Sequence, residues 1–470
     1  MVPMHFKPSF IPTILFGAMM LGGCVGTLPP LALTDVPSAW QGPVESTAQV
    51  WPSTEWWAAF ESEELNRLIE EVQANNLDLA NNQRNLEAAQ LTLREAGFNL
   101  LPTPVVSIGT GAQYNQSRTE AGNTEGGSNS PFTLNAGFTY NDILSKPATY
   151  SRAVADYEGR VAQAADLALN TLGTAASTYF QLLLTRDKIL VAQQNLANAE
   201  AIGAIAQARV DAGVAVPIEA LQQRIAIERE RANLQSLIQS DLSARASLAL
   251  LVGRNVQGFD LDGQSLLDLS IPTVQPGLPS ELLRRRPDLV QAEAALRSAN
   301  ANLAIVQSDL FPQISLTGNA SAASTALSQL VSSPDTMLTV SASLVQTLLD
   351  NGQRFRNIDQ ARLQLENALA NYRKAVLSAF NEVEVLLSNI QLLQQLGQVA
   401  LDNLGAAEES FRIAQVRYEE GVADYLTVLQ SQNTLFSTRN AWLDNRLLQL
   451  NAMIGLYQAL GGGWQADSEQ

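Results

Sequence analysis

Two hydrophobic periods take turns along this chain, and the sequence of turns happens twice. Over residues 105–114, Val106, Ile108, Thr110, Ala112 and Tyr114 fall on one side and Val105, Ser107, Gly109, Gly111 and Gln113 on the other. That period of two predicts a strand. A cleaner copy follows, in which Phe132, Leu134, Ala136, Phe138 and Tyr140 alternate with Thr133, Asn135, Gly137, Thr139 and Asn141, and residues 115–130 between them read as a polar loop. Far downstream, Ile314, Leu316 and Ala320 alternate with Gln313, Ser315, Thr317 and Asn319, and Leu338, Val340, Ala342 and Leu344 with Thr339, Ser341 and Ser343. Elsewhere the spacing is helical, as in Leu363, Leu365, Leu369, Tyr372, Val376 and Phe380. No proline interrupts the chain between Pro147 and Pro217 or after Pro334, so helices there have nothing to break them. An unbroken helix over residues 151–211 would run ~90 Å at about 1.5 Å per residue.

The halves are duplicated. Residues 209–253 align without a gap on 417–461, pairing Gly213 with Gly421, Val214 with Val422, Ala215 with Ala423, Leu221 with Leu429, Gln222 with Gln430 and Leu248 with Leu456. Leu86, Ala89, Leu93, Leu100 and Pro102 likewise match Leu296, Ala299, Leu303, Leu310 and Pro312. Each half reads helix, strand, loop, strand, long helix, tight turn, helix. The expected division is an export signal at 1–23, an anchored segment with a first helix at 24–100, and a β-hairpin at 101–145 with a long helical hairpin at 146–255. A connector at 256–286 and a helix at 287–311 follow, then a second β-hairpin at 312–350, a second helical hairpin at 351–460 and a tail at 461–470.

The strands have about the ten residues that a membrane-spanning β-strand needs. Their second faces are almost entirely small, polar and uncharged, which suits a water-filled lumen. Four strands cannot close, and open edges in lipid would leave backbone groups unpaired at several kcal/mol each. Two copies would give about eight strands whose side chains fill the interior, whereas three give twelve and an aqueous bore. The expected fold is therefore mainly α with membrane β: a trimeric 12-stranded β-barrel, four strands per subunit, continuous with a long periplasmic α-helical barrel.

Charge and composition narrow the function. A formal net charge of −17 supplies no basic face for phosphate, so nucleic acid is excluded as a partner. The single histidine is His5 and the single cysteine Cys24, so Cys or His nucleophile pairs, zinc sites and disulfides are excluded downstream, and no enzyme is expected. Residues 1–23 read as an export signal, with Lys7 as its positive charge and an apolar stretch over 10–21 too short to span a bilayer. It ends in Leu21-Gly22-Gly23-Cys24, which resembles the bacterial lipobox, so the one covalent group implied is a lipid on Cys24 and no other cofactor is expected. Val25, not an acidic residue, follows the cysteine, which in lipoproteins favours the outer membrane.

Further runs are more specific: Trp56-Trp57 and Phe60; Gly277-Leu278-Pro279-Ser280-Glu281-Leu282-Leu283-Arg284-Arg285-Arg286-Pro287-Asp288; Phe311-Pro312; Ala379-Phe380-Asn381-Glu382-Val383-Glu384; and the terminal Leu456 to Trp464 segment with its three glycines. With these the chain resembles the TolC-like outer-membrane efflux channels, in the lipoprotein branch that includes OprM and NodT. On its own, Arg284 to Arg286 reads as a solvated charge run before a helix that Pro287 opens. The resemblance implies a homotrimer in outer-membrane lipid that works with a periplasmic adaptor and an inner-membrane resistance-nodulation-division pump. It implies adaptor contacts at Gly213, Val214, Ala215, Gly421, Val422 and Ala423. It also implies a gate at Tyr418, Leu426 and Gln430, where relatives often carry an aspartate in place of Gln430. A duct for protein secretion and a non-conducting structural lipoprotein are the alternatives.

Overall fold

The computed structural model describes residues 37, 40, 41, 51–111, 113–118, 124–129, 132–273, 277, 279–324, 327–332 and 334–464. Cys24 and the export signal lie outside the described residues. The chain gathers into two compact units, one holding the described residues of 86–160 and 292–372, the other those of 33–85, 161–291 and 373–470.

In chain order the elements are a 3-10 turn (Trp56–Phe60), α1 (Glu63–Asn75), α2 (Leu77–Phe98), β1 (Thr103–Thr110), β2 (Gln113–Arg118), β3 (Thr124–Asn129) and β4 (Phe132–Tyr140). Then come α3 (Lys146–Asp211), α4 (Pro217–Leu251), a second 3-10 turn (Leu266–Asp268), α5 (Pro279–Arg285), α6 (Pro287–Ser308), β5 (Gln313–Ser324), α7 (Leu327–Ser332), β6 (Asp335–Val345), α8 (Gln353–Glu419) and α9 (Tyr425–Ala459). The first long helix runs from Lys146 to Asp211, with Pro147 in its first turn, where the missing N–H costs nothing.

The first unit carries an antiparallel sheet of order β1-β4-β5-β6. Its register brings Ile108 opposite Leu134, Leu134 opposite Ala322, Phe138 opposite Gly318, and Leu316 opposite Ala342, so one face is apolar along most of its length, with Thr110, Ser324 and Thr336 at one end. The other face pairs Ser107 with Asn135, Thr139 with Thr317 and Asn319 with Thr339, and Thr317 and Ser341 hydroxyls meet at 2.6 Å. The Phe138 ring lies where a Cβ on Gly318 would be, which is why the apolar face has a glycine there. Part of the expected polar loop is instead a two-stranded ribbon, β2 with β3, running from Gln113↔Asn129 to Arg118↔Thr124. Such a ladder needs only paired backbone groups, so residues with no apolar alternation can form it.

The second unit is built on an aromatic cluster. The Trp56 ring stacks on Tyr457 at 5.4 Å, and Phe60 meets Phe180 edge-on at 5.1 Å. Ser62 caps α1 through its hydroxyl, and the buried Glu64 carboxylate accepts from Tyr179 Oη (2.8 Å) and Gly263 N (3.1 Å). The closing glycines are forced by close approach: Gly461 has φ +86° and presses on the Arg285 carbonyl, where a side chain would collide. Arg286 overturns the reading of a solvated charge run. Its guanidinium is largely buried, forks onto Asp288 (2.9 and 2.8 Å), and reaches Glu382 (2.7 Å) and the Ala459 carbonyl (3.0 Å). Asp288 is two residues away, but Glu382 and Ala459 lie on distant elements, so spacing along the chain could not reveal that this arginine is buried.

Candidate functional site: the tips of the helical hairpins

Each helical hairpin turns in the same way. Gly213 (φ +71°) and Gly421 (φ +75°) take the left-handed conformation that ends α3 and α8. The next residue, Val214 or Val422, donates its N–H to the carbonyl of Arg209 (3.0 Å) or Arg417 (2.7 Å), and Ala215 and Ala423 donate to the same two carbonyls. The returns differ. α4 opens with Pro217 in its first turn behind an uncapped Val216, whereas α9 is capped by Asp424, which accepts from Thr427 N (2.8 Å) and Oγ1 (2.6 Å). Those bonds hold the Asp424 carboxyl below the ordinary carboxylate value.

Polar contacts join the two hairpins just behind the turns. Arg209 donates from Nη1 to the Tyr418 carbonyl (2.9 Å) while its guanidinium carbon lies 4.7 Å from the Tyr418 ring centre. The Tyr418 hydroxyl donates to Glu219 (3.1 Å), and Tyr425 donates to Gln223 (2.8 Å), whose amide donates in turn to the Ala199 carbonyl (2.8 Å). Burial, reinforced for Tyr418 by the Glu219 carboxylate, pushes both phenols up to about 12. Behind them lies an apolar core that includes Ile202, Leu404, Phe411, Val428, Leu435 and Phe436. Gln432 is buried among these elements with neither amide atom hydrogen-bonded.

The residues singled out in the sequence separate into two groups. Tyr418 is fully buried and bonded within the chain. Leu426 is 56% exposed and Gln430, one turn further along α9, is also exposed, so neither belongs to the core of its own hairpin. At the turns Gly213, Val214, Gly421 and Val422 are exposed, and Ala215 and Ala423 half-buried. Sequence reasoning missed Arg209, Glu219 and Gln223. No local signal set them apart, since Gln223 shares its buried helix stripe with the acid Glu230. Val216, Ile218, Leu221 and Ile225 add an exposed apolar strip to the first tip.

Comparison with known proteins places this geometry. The profile of the outer membrane efflux protein family matches residues 68–254 and 278–462, one stretch in each repeat. The chain is 33% identical over 467 residues to the pyoverdine export outer membrane protein OpmQ of Pseudomonas putida, covering 96% of this chain and 97% of that one. It is 28% identical over 432 residues to the cation efflux system protein CusC of Escherichia coli, covering 90% and 92%. Among solved structures, the outer-membrane channel OprN matches with TM-score 0.84 at 24% identity, over 94% of this chain and 100% of that one. The open-state MtrE outer membrane channel of Neisseria gonorrhoeae matches with TM-score 0.78 at 25% identity, over 93% and 97%. With both repeats matched and the sheet and hairpins those channels share, the chain belongs to the outer membrane efflux protein family and is an efflux channel of the outer membrane.

Proposed function

We propose that three copies of this chain close a 12-stranded barrel and conduct solutes passively as the outer duct of a tripartite pump. The observation that carries this reading is the sheet: one face mostly apolar, the other mostly small and polar with Asp335 at the end of β6 as its one carboxylate, and β1 and β6 left as open edges. Open edges in lipid demand pairing, and a largely uncharged hydroxyl face suits a wet bore. Relatives at 28–33% identity are named for pyoverdine, toluene and cation efflux, which favours a bore that does not choose its cargo. Choice then falls to an inner-membrane pump of the resistance-nodulation-division class.

In this reading Gly213, Val214, Ala215, Gly421, Val422 and Ala423 meet a periplasmic adaptor. Leu426 and Gln430, exposed on one chain, form the constriction where three copies converge, and the Tyr418–Glu219 bond holds it shut. Cys24 carries the lipid that anchors the mature chain. Native mass measurement of the purified protein, followed by planar-bilayer recording, tests the proposal. A trimer whose conductance rises when the tips are loosened is expected; a species of other stoichiometry, or no conductance even with loosened tips, overturns it.

A further inference from the structure

The two repeats differ at one junction of the sheet unit, and the difference leaves two leucines bare. β1 and β5 start at corresponding residues, Thr103 and Gln313. The carbonyls of Asn99 and Asp309 correspond too, accepting from Lys146 Nζ and from Arg354 Nη1 (3.2 Å) at the heads of α3 and α8. The turns before those helices match, Ser145 N donating to the Asp142 carbonyl and Gln353 N to the Asp350 carbonyl, each at 3.1 Å. Strand register fixes the remaining correspondence: Thr103 faces Thr139, and Gln313 faces Val345. Tyr140 and Asn141 alone separate Thr139 from Asp142, whereas Gln346, Thr347, Leu348 and Leu349 separate Val345 from Asp350. The second repeat therefore carries two extra residues between β6 and α8. Leu348 is 85% and Leu349 93% exposed, more than any other large apolar side chain among the described residues.

We propose that Leu348 and Leu349 are an inter-subunit clasp that packs on Phe98 and Leu101 of the next copy. This rests on the trimeric reading above and adds to it which residues seal the seam. The chain already contains one such seam, β4 against β5, where Tyr140 faces Leu316. Beside it the α6–β5 junction is partly covered, with Leu310 40% and Phe311 47% exposed. The same junction in the first repeat lies at the open edge β1: Leu101, the counterpart of Phe311, is 62% exposed, Leu100, the counterpart of Leu310, is half-buried, and Phe98, where the second repeat has Ser308, adds a ring that is 74% exposed. Repeating the β4–β5 pairing across the open edges sets Gln346 opposite Val106 of the next copy and keeps both apolar faces on one side. The chain after Gln346 then runs antiparallel past Pro104 toward Leu101 and Phe98, so the extra leucines arrive where the neighbour's apolar junction is uncovered.

Cysteine pairs test the arrangement in the full trimer. Directly opposed Cα atoms lie about 4.5–5.5 Å apart, within the ~4.4–6.8 Å that a disulfide spans, and a shift of four residues adds about 13 Å. Oxidation of the Gln346→Cys, Val106→Cys variant should give covalent dimers and trimers on a denaturing gel, and Gln346→Cys with Thr110→Cys should give none. A short bismaleimide should link Leu348→Cys to Leu101→Cys of the next subunit. If native mass shows an intact trimer but Leu348→Cys and Leu101→Cys stay unlinked, or brominated lipid quenches a fluorophore at position 348, the leucines face lipid and the clasp is wrong. An unsubstituted protein that is not trimeric instead defeats the assembly reading itself, so the two failures are distinguishable.

Discussion

Replacing Tyr418 by Phe removes one hydroxyl and little else. The ring would keep its place over Arg209 (4.7 Å) and its edge contact with Tyr425 (6.1 Å between centres), but the bond to Glu219 at 3.1 Å would be lost. Hydrogen bonds to charged groups contribute about 1.5–3 kcal/mol. Glu219 is only half-buried and would find water after the substitution, so about 1 kcal/mol per subunit is the fitting figure. If opening parts all three links together, the loss is about 3 kcal/mol, roughly a hundredfold in the ratio of open to closed channels. Single-channel recording at neutral pH reads that ratio directly. An unchanged open probability in a trimer of normal mass would refute the idea that this bond holds the tips. The same bond sets a pH limit. Tyr418 titrates at about 12 in the folded chain against an ordinary 10.0, so its contribution is complete below pH 10 and disappears as pH rises through 12. Conductance should therefore not rise through release of this link between pH 7 and 9.

Four further outcomes follow from the same geometry. Gly213→Ala and Gly421→Ala force a Cβ into a left-handed residue and should each cost about 1–2 kcal/mol of stability, read from denaturation midpoints. There is no steric addition, since the new methyl meets nothing within 4 Å at Gly213 and only Arg209 Nη1 at 3.8 Å at Gly421. Arg286→Ala would strand two carboxylates. Because Asp288 and Glu382 keep 39% and 49% of their side chains exposed, water takes over both carboxylates and the loss is about 1–2 kcal/mol, visible as a lowered melting temperature. Gln430→Asp would set a carboxylate ring at the constriction and should introduce block by divalent cations from the periplasmic side; bilayer recordings with unchanged block would place Gln430 off the pore axis. Gln432→Leu removes a buried amide that has no partner and should stabilise the closed tip by about 1–3 kcal/mol, lowering open probability.

What the sequence made legible depended on how far a pattern is enforced by its surroundings. The strands around Ile108, Phe138, Leu316 and Val340 were readable because apolar and polar residues alternate over most of their length, so period two stood out. The ribbon of β2 and β3 obeys no such contrast, and its residues therefore resemble a loop. The long helices were visible through absent prolines, and the repeats through matched glycines at the turns. Arg286 and the Arg209–Tyr418–Glu219 contacts were invisible for another reason: they join residues from different elements, and no local spacing encodes which charge will be buried against which. Leu348 and Leu349 were hidden by alignment itself, since the two extra residues emerge only once strand register and helix heads are compared separately.

The polar defects of the chain are distributed in a way that bears on how a duct of this kind moves. Within the sheet, polar side chains pair across one face, as Thr317 does with Ser341, and apolar side chains fill the other, so separating strands there sacrifices a continuous ladder. At the tips, contacts between the hairpins include two phenol bonds, Arg209 on the Tyr418 carbonyl, Arg229 on Asn433 (2.6 Å) and a modest apolar core, and beside that core sits an amide whose two polar atoms are left without partners. An unpaired buried amide costs about 1–3 kcal/mol, comparable to what one of the phenol bonds contributes. If the tips are the gate proposed above, they would hold closed by a smaller margin than their contacts suggest, and opening would begin where that margin is thinnest.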